Sequence, residues 1–133
     1  MITAYKVVVS NILCELGSFC RHSAWAYTYT PEEWMKAEPG SGLFVFATQD
    51  QAVKFARASW SRSQVWECEC EGPMTTPPMI LGVLDSNIYI QRFWSNYTLG
   101  KSQPPLPDLI NPPAGTLLFR RIKLIKRLRG GVR

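Results

Sequence analysis

The chain holds one histidine, His22, and four cysteines among 133 residues. With no nucleophile placed beside it, a lone histidine is more often a surface or satisfied residue than a catalytic base. No G-x-S-x-G elbow, G-x-G-x-x-G turn or P-loop occurs. Nucleophile-elbow hydrolysis, dinucleotide binding and P-loop phosphoryl transfer therefore lack the backbone cradle each needs. No apolar run approaches the ~18–20 residues of a membrane-spanning helix, so no membrane is expected. The opening Met-Ile-Thr-Ala-Tyr-Lys-Val-Val-Val has no basic stretch ahead of a long apolar segment and reads as a first strand rather than a signal peptide. A cytoplasmic setting follows, with the cysteines as thiols. No catalytic residue, cofactor or metal site is assigned.

Acid is also missing from one end. Residues 120–133 hold Arg120, Arg121, Lys123, Lys126, Arg127, Arg129 and Arg133 without a single Asp or Glu, which leaves eight basic residues against ten acidic ones in the rest of the chain. The formal net charge of +5 thus belongs to the C-terminal end. Two readings stay open: a solvated basic edge strand that discourages strand addition, and a basic end that docks on phosphate or an acidic partner. No helix-turn-helix, zinc finger or aromatic RNA-binding signature accompanies the charge, which argues against a nucleic-acid sequence reader.

What is present is a foldable chain. At 46% apolar and 12% aromatic it is not disordered, and its length suits one domain that buries its own core. Residues 42–72 are the clearest unit. Leu43 to Phe46 is an apolar run, Thr48 and Gln51 stand at capping-box spacing, and Ala52, Phe55 and Ala56 recur at i, i+3, i+4 as one buried helix face. Val65 to Glu71 then alternate strictly. Strand, capped helix and strand follow in turn.

Around that unit, residues 4–10 form a valine-rich strand, and Ser23 to Thr30 alternate with Trp25, Tyr27 and Tyr29 on one face. Thr30-Pro31-Glu32-Glu33 predicts a short helix, with Thr at the N-cap, Pro at N1 and Glu at N3. Glu38 to Gly42 is a turn cluster, and Met79 to Leu84 suits a short strand. A second helix capped by Asp85 or Ser86 would align Ile90, Phe93, Trp94 and Tyr97 and stop at Gly100. Residues 101–114, with five prolines, predict an ordered surface loop. Gly115 to Leu128 is the last extended segment, in which Leu118, Ile122 and Leu124 share one parity, interrupted by Arg120. The expected fold is α+β: a single small domain over 1–128, an antiparallel-rich sheet of about five strands with two main helices packed on it, then a basic flexible tail at 129–133.

In Trp66-Glu67-Cys68-Glu69-Cys70-Glu71, residues two apart share a strand face. Trp66, Cys68 and Cys70 therefore point one way, and three glutamates form an acidic stripe on the other. The thiols are expected to be core residues, because a metal would need Cys14 and Cys20 to converge on a C-x-C pair. The surplus of Trp and Tyr suggests that some serve as interface anchors. The partner-binding residues chosen on these grounds are Trp25, Tyr27, Tyr29, Arg120, Arg121, Lys123, Lys126, Arg127 and Arg129.

Tyr5, Trp34, Leu43 to Ala56, Val65 to Gly72, Pro113 to Thr116 and Ile122 to Leu124 together resemble, loosely, small uncharacterised proteins encoded by tailed bacteriophages. That resemblance implies a phage or viral origin and host-cell cytoplasm, and no reaction. A weaker resemblance, to ADP-ribosyltransferase-like domains, implies that Arg21 or His22 and Tyr27 or Tyr29 fill two of that family's roles; the late catalytic Glu has no counterpart in Gly115 to Leu128. The expected function is a non-enzymatic accessory protein that binds a host or phage macromolecule, with a protein partner first and an anionic surface or nucleic acid at the basic end second. The alternatives are that enzyme and a self-associating virion or assembly component, which leaves a homo-oligomer open.

Overall fold

The computed structural model describes residues 2–10, 16–17, 28–58, 63–77, 80–81, 87–100, 109–110 and 112–129. Among them are β1 (Ile2–Ser10), β2 (Leu16–Gly17), β3 (Thr28–Tyr29), β4 (Trp34–Lys36), β5 (Leu43–Phe46), α1 (Gln49–Ala58), β6 (Ser63–Met74), β7 (Ile80–Leu81), α2 (Asn87–Thr98), β8 (Leu109–Ile110) and β9 (Thr116–Arg129). The fold is α+β, and the described pairings are all antiparallel.

The main sheet closes on itself. β6 pairs with β1 along one edge and β9 along the other, and β5 joins the free edges of β1 and β9. Four strands thus form a ring, which β2, β3 and β4 extend. Inside it lie Ala4, Val8, Leu43, Val45, Cys68, Cys70, Ile122 and Leu124, all buried. Opposite residues of β1 and β6 share a face, so Ala4 meets Cys68 and Lys6 meets Trp66 on the inner side, and Val7 meets Val65 on the outer. α1 covers that outer patch: Ala52 is fully buried, and Phe55 and Ala56 are half-buried against Val7, Phe46 and Val65.

Local chemistry builds these elements as the residues dictate. Gln51 N–H donates to Thr48 Oγ1 and Thr48 N–H to Gln51 Oε1, both at 3.2 Å, the reciprocal bonds of a capping box. Gly115, at φ 83°, turns the chain into β9 where a Cβ would run into the Gln51 side chain. Its carbonyl accepts from Ala47 N–H at 2.8 Å, so the cap of α1 and the start of β9 are one joint. α2 seats Phe93 and Trp94 in the core, with Trp94 5.8 Å from Phe44 and edge-on to Phe93 and Tyr97.

Three expectations need correction. Thr30 to Glu33 do not start a helix. Glu33 N–H donates to the Thr30 carbonyl, Glu32 takes φ 65°, and the chain enters β4, where Met35 pairs with Ile122. Ser/Thr, Pro and Glu at these offsets suit a turn as well as a helix N-terminus, and pairing on β9 decided between them. β9 is no edge strand either, since β6 lines one side and β5 and β4 the other. The proline-rich 101–114 segment is not loop throughout, because Leu109–Ile110 pairs with Ile80–Leu81 in a separate two-stranded sheet.

The parity of β9 shifts along its length. Ile122 and Leu124 share the ring cluster with Phe119, which strict alternation from Leu118 forbids. The change of phase lies at Arg120, opposite Gly72. Gly72 sits at φ 71°, and a Cβ there would come within 2.9 Å of the Arg120 side chain. Against β6, β9 also carries one extra residue at Ile125 and another at Leu128, insertions that raise local twist.

Candidate functional site

Two clusters of charged and aromatic side chains stand on opposite faces of the same sheet. On the outside, β4, β9 and β6 lie side by side. Trp34 is opposite Lys123 and Lys36 opposite Arg121 across one seam, and Glu69 faces Lys123 and Glu71 faces Arg121 across the other. Arg121 forms an ion pair with Glu71 and donates to it from Nε at 2.7 Å, and Lys123 reaches Glu69 at 3.4 Å. Both cations also stand over the Trp34 ring, 4.8 and 5.0 Å from its centroid, inside the range of cation–π attraction.

The acidic stripe is therefore the cross-strand complement of the basic strand. Two of its three carboxylates form ion pairs with β9 cations, and Glu67 stands in register with Lys126. Lys36, Arg120, Lys126 and Arg127 are exposed, and among the described residues none of these four forms an ion pair. Lys36, in register with Arg121, and Lys126, in register with Glu67, are surplus charge on this face, whereas Arg127 is opposite Trp66 and belongs to the other face of the strand.

On the inside stands a residue that sequence reasoning passed over. Lys6 lies between Ala4 and Val8 on the inner face and is only 9% exposed. Its Nζ donates to the Phe44 carbonyl at 2.8 Å and sits 5.7 Å from the centre of the Tyr29 ring. Burial pulls its pKa down to about 8. Beside it, Cys68 and Cys70 place their sulfurs 3.7 Å apart, and the Cys68 thiol donates to the Ala4 carbonyl at 3.3 Å. The hydrogen bond with Cys70, and then burial, push the Cys68 thiol far above the ordinary range. It is a protonated core group at neutral pH and a poor nucleophile.

The residues chosen from sequence divide accordingly. Arg121 and Lys123 come together with Trp34 on the outer face, and Arg120, Lys126 and Arg127 are exposed along the same strand. Arg129 is the last residue of β9, opposite Val65. Tyr29, expected at a surface, is 4% exposed and packs in the ring; its alternating segment turns it inward to cover Lys6. Trp25 and Tyr27 lie outside the described residues, as do Cys14, Cys20, Arg21 and His22. Trp34 was hidden in an apparent helix start. Lys6 had a signal, because a cation that alternates with Ala4 and Val8 while Tyr5 and Val7 fill the other face has no solvated side to point to.

Comparison of the chain with protein-family models, with curated proteins and with solved structures finds no match.

Proposed function

We propose that this protein is a non-enzymatic binding domain, an accessory protein of phage type acting in the host cytoplasm, that engages an acidic surface of a partner protein through the outer face of β9. The observation that carries the reading is the uncompensated charge of that face. Glu69 and Glu71 are already committed to Lys123 and Arg121, while Lys36 and Lys126 on that face, with Arg120 and Arg127 along the same strand, remain exposed and unpaired among the described residues. The backbone that carries the β9 cations is already ordered in a paired strand, so binding restricts their side chains without the chain-ordering cost a free tail would add.

An acidic protein suits this face better than a nucleic acid. Glu69 and Glu71 occupy two of the cations and break the row of positive charge that a continuous phosphate backbone would track, and Trp34, which could have stacked on a base, already has two cations against its ring. The phage resemblance supports the accessory role.

The test compares the wild type with a Lys126→Glu/Arg127→Glu variant on two immobilised polyanions, polyglutamate and duplex DNA. The wild type should be retained by polyglutamate and released by moderate salt, and the variant should associate more slowly, since rim charges act chiefly on association. Stronger retention on DNA, with a steep salt dependence, would transfer the site to nucleic acid. Turnover of NAD⁺ by the purified chain would replace the binding reading with the transferase one.

A further inference from the structure

The four seams of the ring differ greatly in length. β1 and β6 share eight residue pairs, β6 and β9 share nine, and β5 and β9 share four. β1 and β5 share one, Tyr5 with Phe46. Closure of the sheet rests on that single bridge and on what lies to either side of it. Outside, α1 spans the joint through the Phe46–Phe55 contact, with ring centres 5.2 Å apart, and through Tyr5 and Val7. Inside, the only polar tie described across it is the Lys6 Nζ hydrogen bond to the Phe44 carbonyl, at 2.8 Å.

That inner tie is made by a charge in a poor place to hold one. Burying an ammonium is costly unless it is paired and hydrogen-bonded. The ionisable groups facing Lys6 among the described residues are the thiols of Cys68 and Cys70 from β6 and the phenol of Tyr29 from β3. β5 offers a carbonyl, β9 offers Ile122 and Leu124, and among the described residues no carboxylate faces the ammonium. Both thiols are buried, and the Cys68 thiol is held protonated by its hydrogen bond with Cys70 and by burial. An ammonium so held gains from any movement that lets water reach it, and the one-bridge seam is where the ring yields most cheaply.

We propose that the β1–β5 seam is the opening point of this ring, and that the protonation of Lys6 sets how readily it opens. A protonated Lys6 favours the open, hydrated seam, and a neutral Lys6 favours the closed one. The lowered Lys6 pKa, about 8 in the closed form, gives the direction. A solvated lysine in the open form holds its proton to about pH 10.4, so the open form binds more protons across that window. The open population should then fall as pH rises, by about tenfold between about pH 7 and about pH 9.

Methyl relaxation dispersion on the intact chain tests this, read at Val8 and Val45 beside the seam and at Leu118, on the neighbouring β5–β9 seam, as the control. The expected result is exchange at Val8 and Val45 whose minor population drops about tenfold over that range, with Leu118 unaffected. In Lys6→Met the population should be small and independent of pH. An equal pH response in Lys6→Met, or exchange at Leu118 matching that at the seam, would overturn the proposal. If Lys6→Met does not fold, the NMR titration of the Lys6 side chain in the wild type decides. A midpoint near 8 that coincides with the dispersion change supports the gate, and an ordinary lysine midpoint overturns it.

Discussion

The inner and outer faces of this sheet solve opposite problems with the same residue type. On the outer face Arg121 and Lys123 keep access to water, carboxylates stand across the strand, and the Trp34 ring lies beneath them. There charge is cheap to hold and each pairing is worth little. On the inner face Lys6 has a carbonyl and an aromatic ring, with no carboxylate among the described residues facing it. There charge is expensive, and small changes in protonation carry large energies. The contrast shows that a count of basic residues says little about this molecule until each is assigned to a face.

The largest test of the contrast removes packing from inside. Ile122 is fully buried in the ring, and Ile122→Ala should cost about 2–5 kcal/mol in a urea melt, towards the upper end because the closed ring cannot collapse onto the cavity. A loss below about 1 kcal/mol would mean that the interior is not packed as described.

Next comes the inner charge. The Lys6 pKa is lowered to about 8 in the folded chain, so between there and its unfolded value the unfolded state binds more protons. Stability should therefore rise with pH across that window, by about 3 kcal/mol from this group alone. Other thiols and phenols titrate nearby, so the measured quantity is the difference between wild type and Lys6→Met at each pH. That difference should shift in favour of the wild type as pH rises through 8. A constant difference would show Lys6 to be solvated and would erase the comparison.

The outer face should respond less. Trp34→Ala removes a half-buried ring together with two cation contacts, and a loss of about 1–2 kcal/mol is expected, with part of it screened by salt. Smallest of all is the Arg121–Glu71 pair, whose side chains are 45% and 32% exposed. A double-mutant cycle with Arg121→Gln and Glu71→Gln should return about 0.2–1 kcal/mol. A coupling as large as the Lys6 effect would make the two faces alike.

Local rules predicted much of the fold. Thr48 and Gln51 foretold their own hydrogen bonds, Phe93 and Trp94 marked the buried face of α2, and the C-x-C alternation put both thiols inside. These succeed because a cap, a helical stripe and a strand face depend on neighbours within a few residues. Thr30 to Glu33 failed because the same short polar residues satisfy a turn and a helix start equally well, and a strand far along the chain, β9, made the choice. The candidate site was half legible. The run of cations on β9 was plain, and its carboxylate partners were visible as a stripe, but nothing in the chain says that Glu69 meets Lys123.

By itself, then, the sequence determined which segments are strands and helices over most of the described chain, which faces of β6 and α2 are apolar, and that positive charge collects at one end. Only the tertiary structure decided that β9 is an inner strand, that Tyr29 is buried, that Trp34 lies under Arg121 and Lys123, and that the ring closes through one β1–β5 pair with Lys6 inside it. The division has one physical cause. Backbone conformation and face are set by interactions between near neighbours, whereas register and closure are set by which distant edges can be paired at once. Whether a charge ends in water or in the core follows from closure.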